Sequence, residues 1–161
     1  MIKDIGLIVA CDEKRLIGVD NNLPWKIKEE MKFFKEKTIN NIVIMGSKTY
    51  NSLNKPLENR LNFVITSKKI DNNKVFCFND IFVCLDFCKK YDKKIFVIGG
   101  ESIYRFFLEN NLVNYMYISV IKSVFSCQGN PVYFPEIKEE FWDKDLFLRH
   151  ELFDVYYYKK K

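Results

Sequence analysis

Ile95-Phe96-Val97-Ile98-Gly99-Gly100-Glu101-Ser102 runs from four apolar residues through a glycine pair into a helix-like stretch, Glu101 to Glu109. A short continuous apolar run, unlike an alternating one, marks a strand buried on both faces. The glycines let backbone approach a phosphate closely, and the amides and positive dipole end of a following helix favour its charge. The passage has a counterpart earlier in the chain, where Val43-Ile44-Met45 enters Gly46-Ser47-Lys48-Thr49 ahead of a helix expected over Lys48 to Leu53. Neither is a Walker loop or a GxGxxG, and such turns also arise for steric reasons alone. Two in one small chain suit a ligand with a pyrophosphate.

Outward from these turns, further apolar runs lie at Ile5 to Cys11, Phe63 to Thr66, Val75 to Phe78 and Tyr115 to Ile121, with helices expected over Lys26 to Lys37 and Asp80 to Tyr91. Strand and helix therefore alternate, which predicts an α/β sheet that is largely parallel. Asp145 to Arg149 and Phe153 to Tyr158 are separated by a short polar joint and predict a C-terminal antiparallel hairpin. With 161 residues, 48% of them hydrophobic, the expectation is one domain over residues 1–161. No apolar run reaches the roughly 20 residues that cross a bilayer, and no signal-peptide pattern leads the chain, so the expected place is the cytoplasm.

Charge and cysteine usage narrow the function classes. The net charge of +5 owes part to Lys159, Lys160 and Lys161, and the other lysines are interspersed with acids instead of forming a basic stripe. A nucleic-acid-binding module would line such a surface with aromatics, whereas Phe33, Phe63 and Phe96 fall in strand or helix cores. Five scattered cysteines and a single histidine, His150, predict neither a disulfide framework nor a metal site; Cys84 and Cys88, one turn apart, read as a packed helix face.

Asp12 to Trp25 is a long polar loop between the first strand and first helix, placed where α/β sheets bind ligands, and reads as a lid or a surface excursion. On the helix that follows, Ile27, Glu30, Met31 and Phe34 share one face, so Glu30 is the acid on the apolar side, while Lys28, Glu29, Lys32, Lys35 and Glu36 take the solvated arc. Either Glu30 reaches the rim beside Lys26, or it is aimed into a pocket for a cationic ligand group. After the third strand come Thr66, Ser67, Lys68 and Lys69, near Lys48. Hydroxyl and basic groups there suit the 2′-phosphate of NADP, where an NAD site would place an acid; a solvated turn is the plain alternative.

In combination these motifs resemble dihydrofolate reductase of the bacterial chromosomal type over practically the whole chain. The residues are Leu16-Ile17-Gly18 with Leu23-Pro24-Trp25; Glu30 and Phe34; Val43 to Tyr50; Pro56-Leu57 with Arg60; Val97 to Tyr104; and Tyr133-Phe134-Pro135-Glu136. The resemblance implies a mixed sheet of about eight strands with flanking helices, and reduction of 7,8-dihydrofolate to tetrahydrofolate with NADPH. It implies a monomer whose partner is that small molecule and no nucleic acid, and a cis peptide joining the Gly-Gly pair. Glu30 would bind the pterin, supported through water by Ser119, and Trp25 would help order a bound water. Ile8, Ala10, Met31, Phe34, Leu53, Leu57, Ile98 and Tyr104 would wall the substrate site, with Arg60 on the folate α-carboxylate. NADPH would meet Ala10, Ile17, Gly18, Gly46, Ser47, Lys48, Thr49, Thr66, Ser67, Lys68, Gly99, Gly100, Glu101, Ser102 and Ile103.

This chain departs from the family pattern in three places. Ser47 and Ser102 stand where basic residues are common, which leaves Lys48 and the Lys68-Lys69 pair to select the 2′-phosphate. Gly129-Asn130-Pro131 replaces the Gly-Asp whose acid helps hold the family's lid closed. The rival enzymatic reading is another pterin or pyrimidine reductase on the same fold; Glu30 with Arg60 argues for a pterin that carries a glutamate tail.

Overall fold

The computed structural model describes residues 3–20, 23–124 and 129–161. Cys127, one of the five cysteines, lies outside them. The element order is β1 (Ile5–Asp12), β2 (Leu16–Val19), α1 (Lys28–Thr38), β3 (Ile42–Gly46), α2 (Ser47–Leu53), β4 (Leu61–Ile65), β5 (Val75–Phe78), α3 (Ile81–Cys88), β6 (Ile95–Gly99), α4 (Glu101–Glu109), β7 (Tyr115–Ile121), β8 (Pro131–Tyr133), a 3-10 turn (Glu139–Phe141), β9 (Trp142–Arg149) and β10 (Phe153–Lys160).

Eight strands form one sheet in the order β5-β4-β3-β6-β1-β7-β10-β9. The first six run parallel, and β10 lies antiparallel between β7 and β9, so the expected mixed sheet and C-terminal hairpin are both present. Strand alternation sends successive side chains to opposite faces. Leu7, Val9 and Cys11 of β1, Ile42 and Ile44 of β3, and Ile95 and Val97 of β6 pack on the α3–α4 side around Phe63 and Phe107. Ile8, Phe96 and Ile121 face α1, where Phe33 and Trp25 cover them, and Val43, Met45 and Val64 face α2. Cys84 and Cys88 are fully buried on α3, as a packed helix face requires.

Three expectations need correction. Val75 to Phe78 is a strand, but as the sheet's edge it is half open, with Phe76 37% exposed, and not buried on both faces. The Asp80 to Tyr91 helix is regular only over Ile81–Cys88, with Asp80 as its cap; the Asp80 carboxylate accepts from the amides of Phe82 and Val83. The Asp12 to Trp25 loop contains the short strand β2, which pairs antiparallel with β8. That ribbon forms a separate two-stranded sheet.

Candidate active site

In a parallel sheet the carboxyl ends of the strands open onto one rim, and the side chains of interest gather there. On the α1 side, β7 presents Tyr115, Tyr117, Ser119 and Ile121 in alternation, so Ser119 is the polar break in an aromatic and aliphatic row. Ser119 pairs across the sheet with Ala10 of β1. Above this pair stands Glu30, only 6% exposed. Burial pushes its carboxyl above the ordinary carboxylate range, and the adjacent Ser119 hydroxyl opposes the shift. Among the described residues the Ser119 hydroxyl, 1% exposed, has no partner at full hydrogen-bond geometry beyond its approach to Glu30. Buried polar groups are ordinarily paired, so this hydroxyl and carboxyl suit a polar ligand group between α1 and the sheet.

Of the two places considered for Glu30, the inward one is observed: Lys26 is exposed, and among the described residues no ion pair joins it to Glu30. The company Glu30 keeps on α1 differs from the periodicity reading. Phe33 supplies the buried anchor, Phe34 is half-buried, and Met31 is 51% exposed. The α1 face is rotated because Phe33 packs edge-on against Tyr117 at 5.9 Å. Met31 therefore stands at the rim with its apolar surface open.

Half-buried apolar side chains mark out a cleft between the two helices. Ala10 and Phe34 flank the α1 cluster, Leu53 and Leu57 flank the α2 cluster, and Ile98 touches both. Ile8 lies beneath, almost fully buried, and its carbonyl accepts from the Tyr104 hydroxyl at 2.9 Å. Burial, and to a lesser degree the neighbouring Cys11 and Glu30, raise the pKa of that phenol, so it stays a neutral donor. At the outer end of the cleft, Arg60 donates from Nη1 to Thr38 Oγ1 at 3.1 Å and from Nε to the Glu58 carbonyl at 2.9 Å. Trp25 is buried beside Ile8, Phe33 and Phe96.

The two glycine turns meet in space, which local sequence could not show. β3 and β6 are neighbours, with Met45 opposite Gly99, and the Gly99–Gly100 peptide is cis. A Cβ on Gly46 would stand 3.0 Å from Ile103 of α4; one on Gly99 or Gly100 would stand 3.3 Å from the Thr49 hydroxyl of α2. Gly99 also has φ +125°, a region L side chains rarely adopt. Among the described residues no side chain caps the first turn of α2 or α4, and this backbone cradle is the feature that fits a dinucleotide. Gly46 pairs with Ile65, so Ser47-Lys48 and Thr66-Ser67-Lys68 leave the sheet at neighbouring strand ends. Ser47, Lys48, Ser67, Lys68 and Ser102 are exposed, and Glu101 is tied to Arg105 at 2.6 Å, which keeps its charge from a phosphate. Ile17 and Gly18 sit on β2, with Ile17 packed against the α3–α4 side of the core.

The sequence profile of dihydrofolate reductase matches residues 4–150. The chain belongs to the dihydrofolate reductase family. It is 38% identical to the dihydrofolate reductase of Buchnera aphidicola subsp. Schizaphis graminum, over 93% of this chain and 90% of that one. It is 41% identical over 103 residues to the bifunctional dihydrofolate reductase-thymidylate synthase of Paramecium tetraurelia, covering 63% of this chain and 22% of that longer protein. Among solved structures, dihydrofolate reductase from Enterococcus faecalis, complexed with NADP(H) and RAB-propyl, superposes with a TM-score of 0.84 at 27% identity, covering 98% of this chain and 96% of that one.

Three features of this family member escaped the sequence reading: the β2–β8 ribbon, the contact of Thr38 with Arg60, and a tie at the lid. Asp20 exchanges bonds with Asn130, its amide donating to the Asn130 carbonyl at 3.1 Å and its carboxylate accepting from the Asn130 amide at 3.0 Å. The acid missing near residue 130 thus has a counterpart on the Asp12–Trp25 segment itself. Asp20 and Asn130 are 110 positions apart, so no local pattern in the sequence could have signalled the tie.

Proposed function

We propose that this chain reduces 7,8-dihydrofolate to 5,6,7,8-tetrahydrofolate with NADPH, adding hydride at C6 and a proton at N5. The observation that carries the reading is the juxtaposition of a buried Glu30–Ser119 pair with the glycine cradle, on one rim of one sheet. NADPH supplies the hydride; the chain supplies position and charge. Glu30, ionised, accepts from the donor edge of the pterin, holding the ring flat between Ile8, Phe34 and Ile98. The proton for N5 comes through water, since the carboxylate grips the opposite edge of the ring, and Trp25 and the lid limit how much water enters. Arg60 pairs with the α-carboxylate of the glutamate tail, matching a planar guanidinium to a carboxylate. Gly46, Thr49, Gly99, Gly100 and Ile103 receive the cofactor's backbone, and Lys48 with Ser67 and Lys68 meets its 2′-phosphate.

The proposed working form is a single domain over residues 1–161, a cytoplasmic monomer with no nucleic-acid partner. Among the described residues no helix is long and apolar enough to cross a membrane. The edge strand β9 carries Asp143, Lys144 and Asp145 and shifts register against β10, devices that discourage edge-to-edge pairing. NADPH oxidation measured with and without dihydrofolate tests the activity: oxidation is expected only with substrate present, and substrate-independent or absent oxidation sinks it.

A further inference from the structure

α1 ends on Thr38, a threonine with no exposed surface. A hydroxyl has one proton to give and two lone pairs to receive. The Thr38 proton goes to the Phe34 carbonyl one turn back, at 2.9 Å. The hydroxyl can then act on Arg60 only as an acceptor, the one role a guanidinium, all donors, can use. The Nη1–Oγ1 contact is 3.1 Å, and Nε is held by the Glu58 carbonyl at 2.9 Å.

The backbone under Arg60 is fixed as well. Asn62 of β4, 1% exposed, donates to the carbonyls of Arg60 at 3.0 Å and Leu57 at 2.9 Å, and its Oδ1 accepts the Leu57 amide at 2.9 Å. Among the described residues no carboxylate lies within ion-pair distance of Arg60; the nearby Glu58 carboxylate is 3.9 Å from Lys55. Every oxygen bonded to the guanidinium is therefore neutral. Burial lowers the Arg60 pKa, as expected for a cation short of counter-charge, with Glu58 opposing. The guanidinium is oriented on one side and left electrostatically incomplete on the other.

We infer that Thr38 is a positioning residue for Arg60: by accepting from Nη1 while bonded to Phe34, it locks the guanidinium's free donors toward the cleft and so selects substrates with a carboxylate tail. The inference rests on the reading of Arg60 as the partner of the substrate's α-carboxylate. Phe34 is proposed as a wall of the same cleft, so Thr38 ties the tail grip to the ring site through one helical turn. A threonine that merely bonds back to the i−4 carbonyl, a common habit at helix ends, would not need Arg60 at all.

The test uses Thr38→Val, which keeps the shape and removes the acceptor, and Thr38→Ser, which keeps the hydroxyl. Thr38→Val should raise the KM for dihydrofolate about tenfold, the scale of one lost hydrogen bond to a charged group, with kcat nearly unchanged. The KM for a dihydropterin lacking the glutamate tail should stay at its wild-type value, and Thr38→Ser should restore the dihydrofolate KM. Arg60→Ala should show the same selectivity between substrates, and Thr38→Val should add nothing in its background. Equal KM effects on both substrates, or an undiminished Thr38→Val effect on top of Arg60→Ala, overturns the inference and leaves Thr38 structural. If Arg60→Ala itself affects both substrates alike, the Arg60 reading fails first, and Thr38 loses its role with it. The Arg60 Nη1–H signal in NMR of the ligand-free protein, from the donor that meets Thr38, supplies a readout that needs no catalysis. It should be sharp in wild type and in Thr38→Ser but broadened in Thr38→Ala, a smaller side chain suited to the case where valine does not fold; a signal unchanged in Thr38→Ala also overturns the inference.

Discussion

Replacing Glu30 by Gln should make the protein more stable and much less active at the same pH. Glu30 is 6% exposed, and burial raises its folded-state pKa above the ordinary value of 4.5. For an acid raised in this way the favourable contribution is complete below the unfolded pKa and is lost as pH climbs through the folded one. At neutral pH the ionised carboxylate therefore weighs against folding, by about 1.4 kcal/mol for each unit by which its pKa is raised. Glutamine carries no charge and has no such slope. Urea melts without ligand should show Glu30→Gln more stable than wild type at pH 7, with the difference shrinking toward zero as pH falls below about 4.5.

Activity should move the other way. Loss of the carboxylate removes the charge proposed to hold the pterin and to ease protonation at N5, so turnover at neutral pH should fall roughly 100-fold or more. Residual activity should rise as pH falls, because acid supplies substrate already protonated. Glu30→Asp should keep more activity than Glu30→Gln, and NADPH affinity should hardly change. The assay is dihydrofolate-dependent NADPH oxidation across pH, beside the melts. Near-normal turnover of Glu30→Gln at neutral pH would refute the role, and a pH-independent loss of stability would refute the account of its burial.

Three further outcomes are expected. Lys48→Glu should raise the KM for NADPH far more than that for NADH, since the exposed lysine beside Ser67 and Lys68 is proposed to meet only the 2′-phosphate; equal effects in steady-state kinetics would remove it from that site. Phe63→Ala should cost about 3–5 kcal/mol in urea unfolding, because Phe63 is fully buried and packs edge-on or tilted, at centroid distances of 5.3–5.7 Å, against Phe76, Phe78 and Phe87; a loss under 1 kcal/mol would mean the α3 side repacks. Gly129→Ala should speed hydrogen exchange at the Asn130 amide, since Gly129 has φ +146° and an added Cβ would collide with the Asp20 carboxylate; unchanged protection would show the tie between Asp20 and Asn130 to be incidental.

The parts of the fold legible in the sequence were those set by local pattern. Apolar runs of four to seven residues separated by helical stretches gave the strands of the parallel sheet, because a strand covered on both faces has no polar side to interrupt the run. The same signal overstated β5, where Val75, Cys77 and Phe78 read as core although the strand lies on the edge. It missed β2, whose residues sit in a polar loop and whose partner Val132 is more than a hundred positions away. Neighbourhood in a sheet is a long-range property, which is why both glycine turns could be read singly while their meeting across β3 and β6 could not.

The α1 helix shows how a correct inference can stand on an incomplete pattern. Periodicity placed Glu30 inward with Met31, yet Met31 is open and Phe33 fills the core. An acid is carried inward by the packing of its neighbours, here Phe33 against Tyr117, and not by any preference of its own. The fold holds Glu30 there against its own desolvation, next to the Ser119 hydroxyl. Arg60, at the far end of the same cleft, is likewise half-buried and bonded only to neutral oxygens. Among the described residues neither end of the cleft has a charged partner, an arrangement that costs stability and that one molecule with a donor-rich ring and a carboxylate tail, as proposed, would relieve. A neutral substitution at either end should relax the fold while weakening the hold on that molecule.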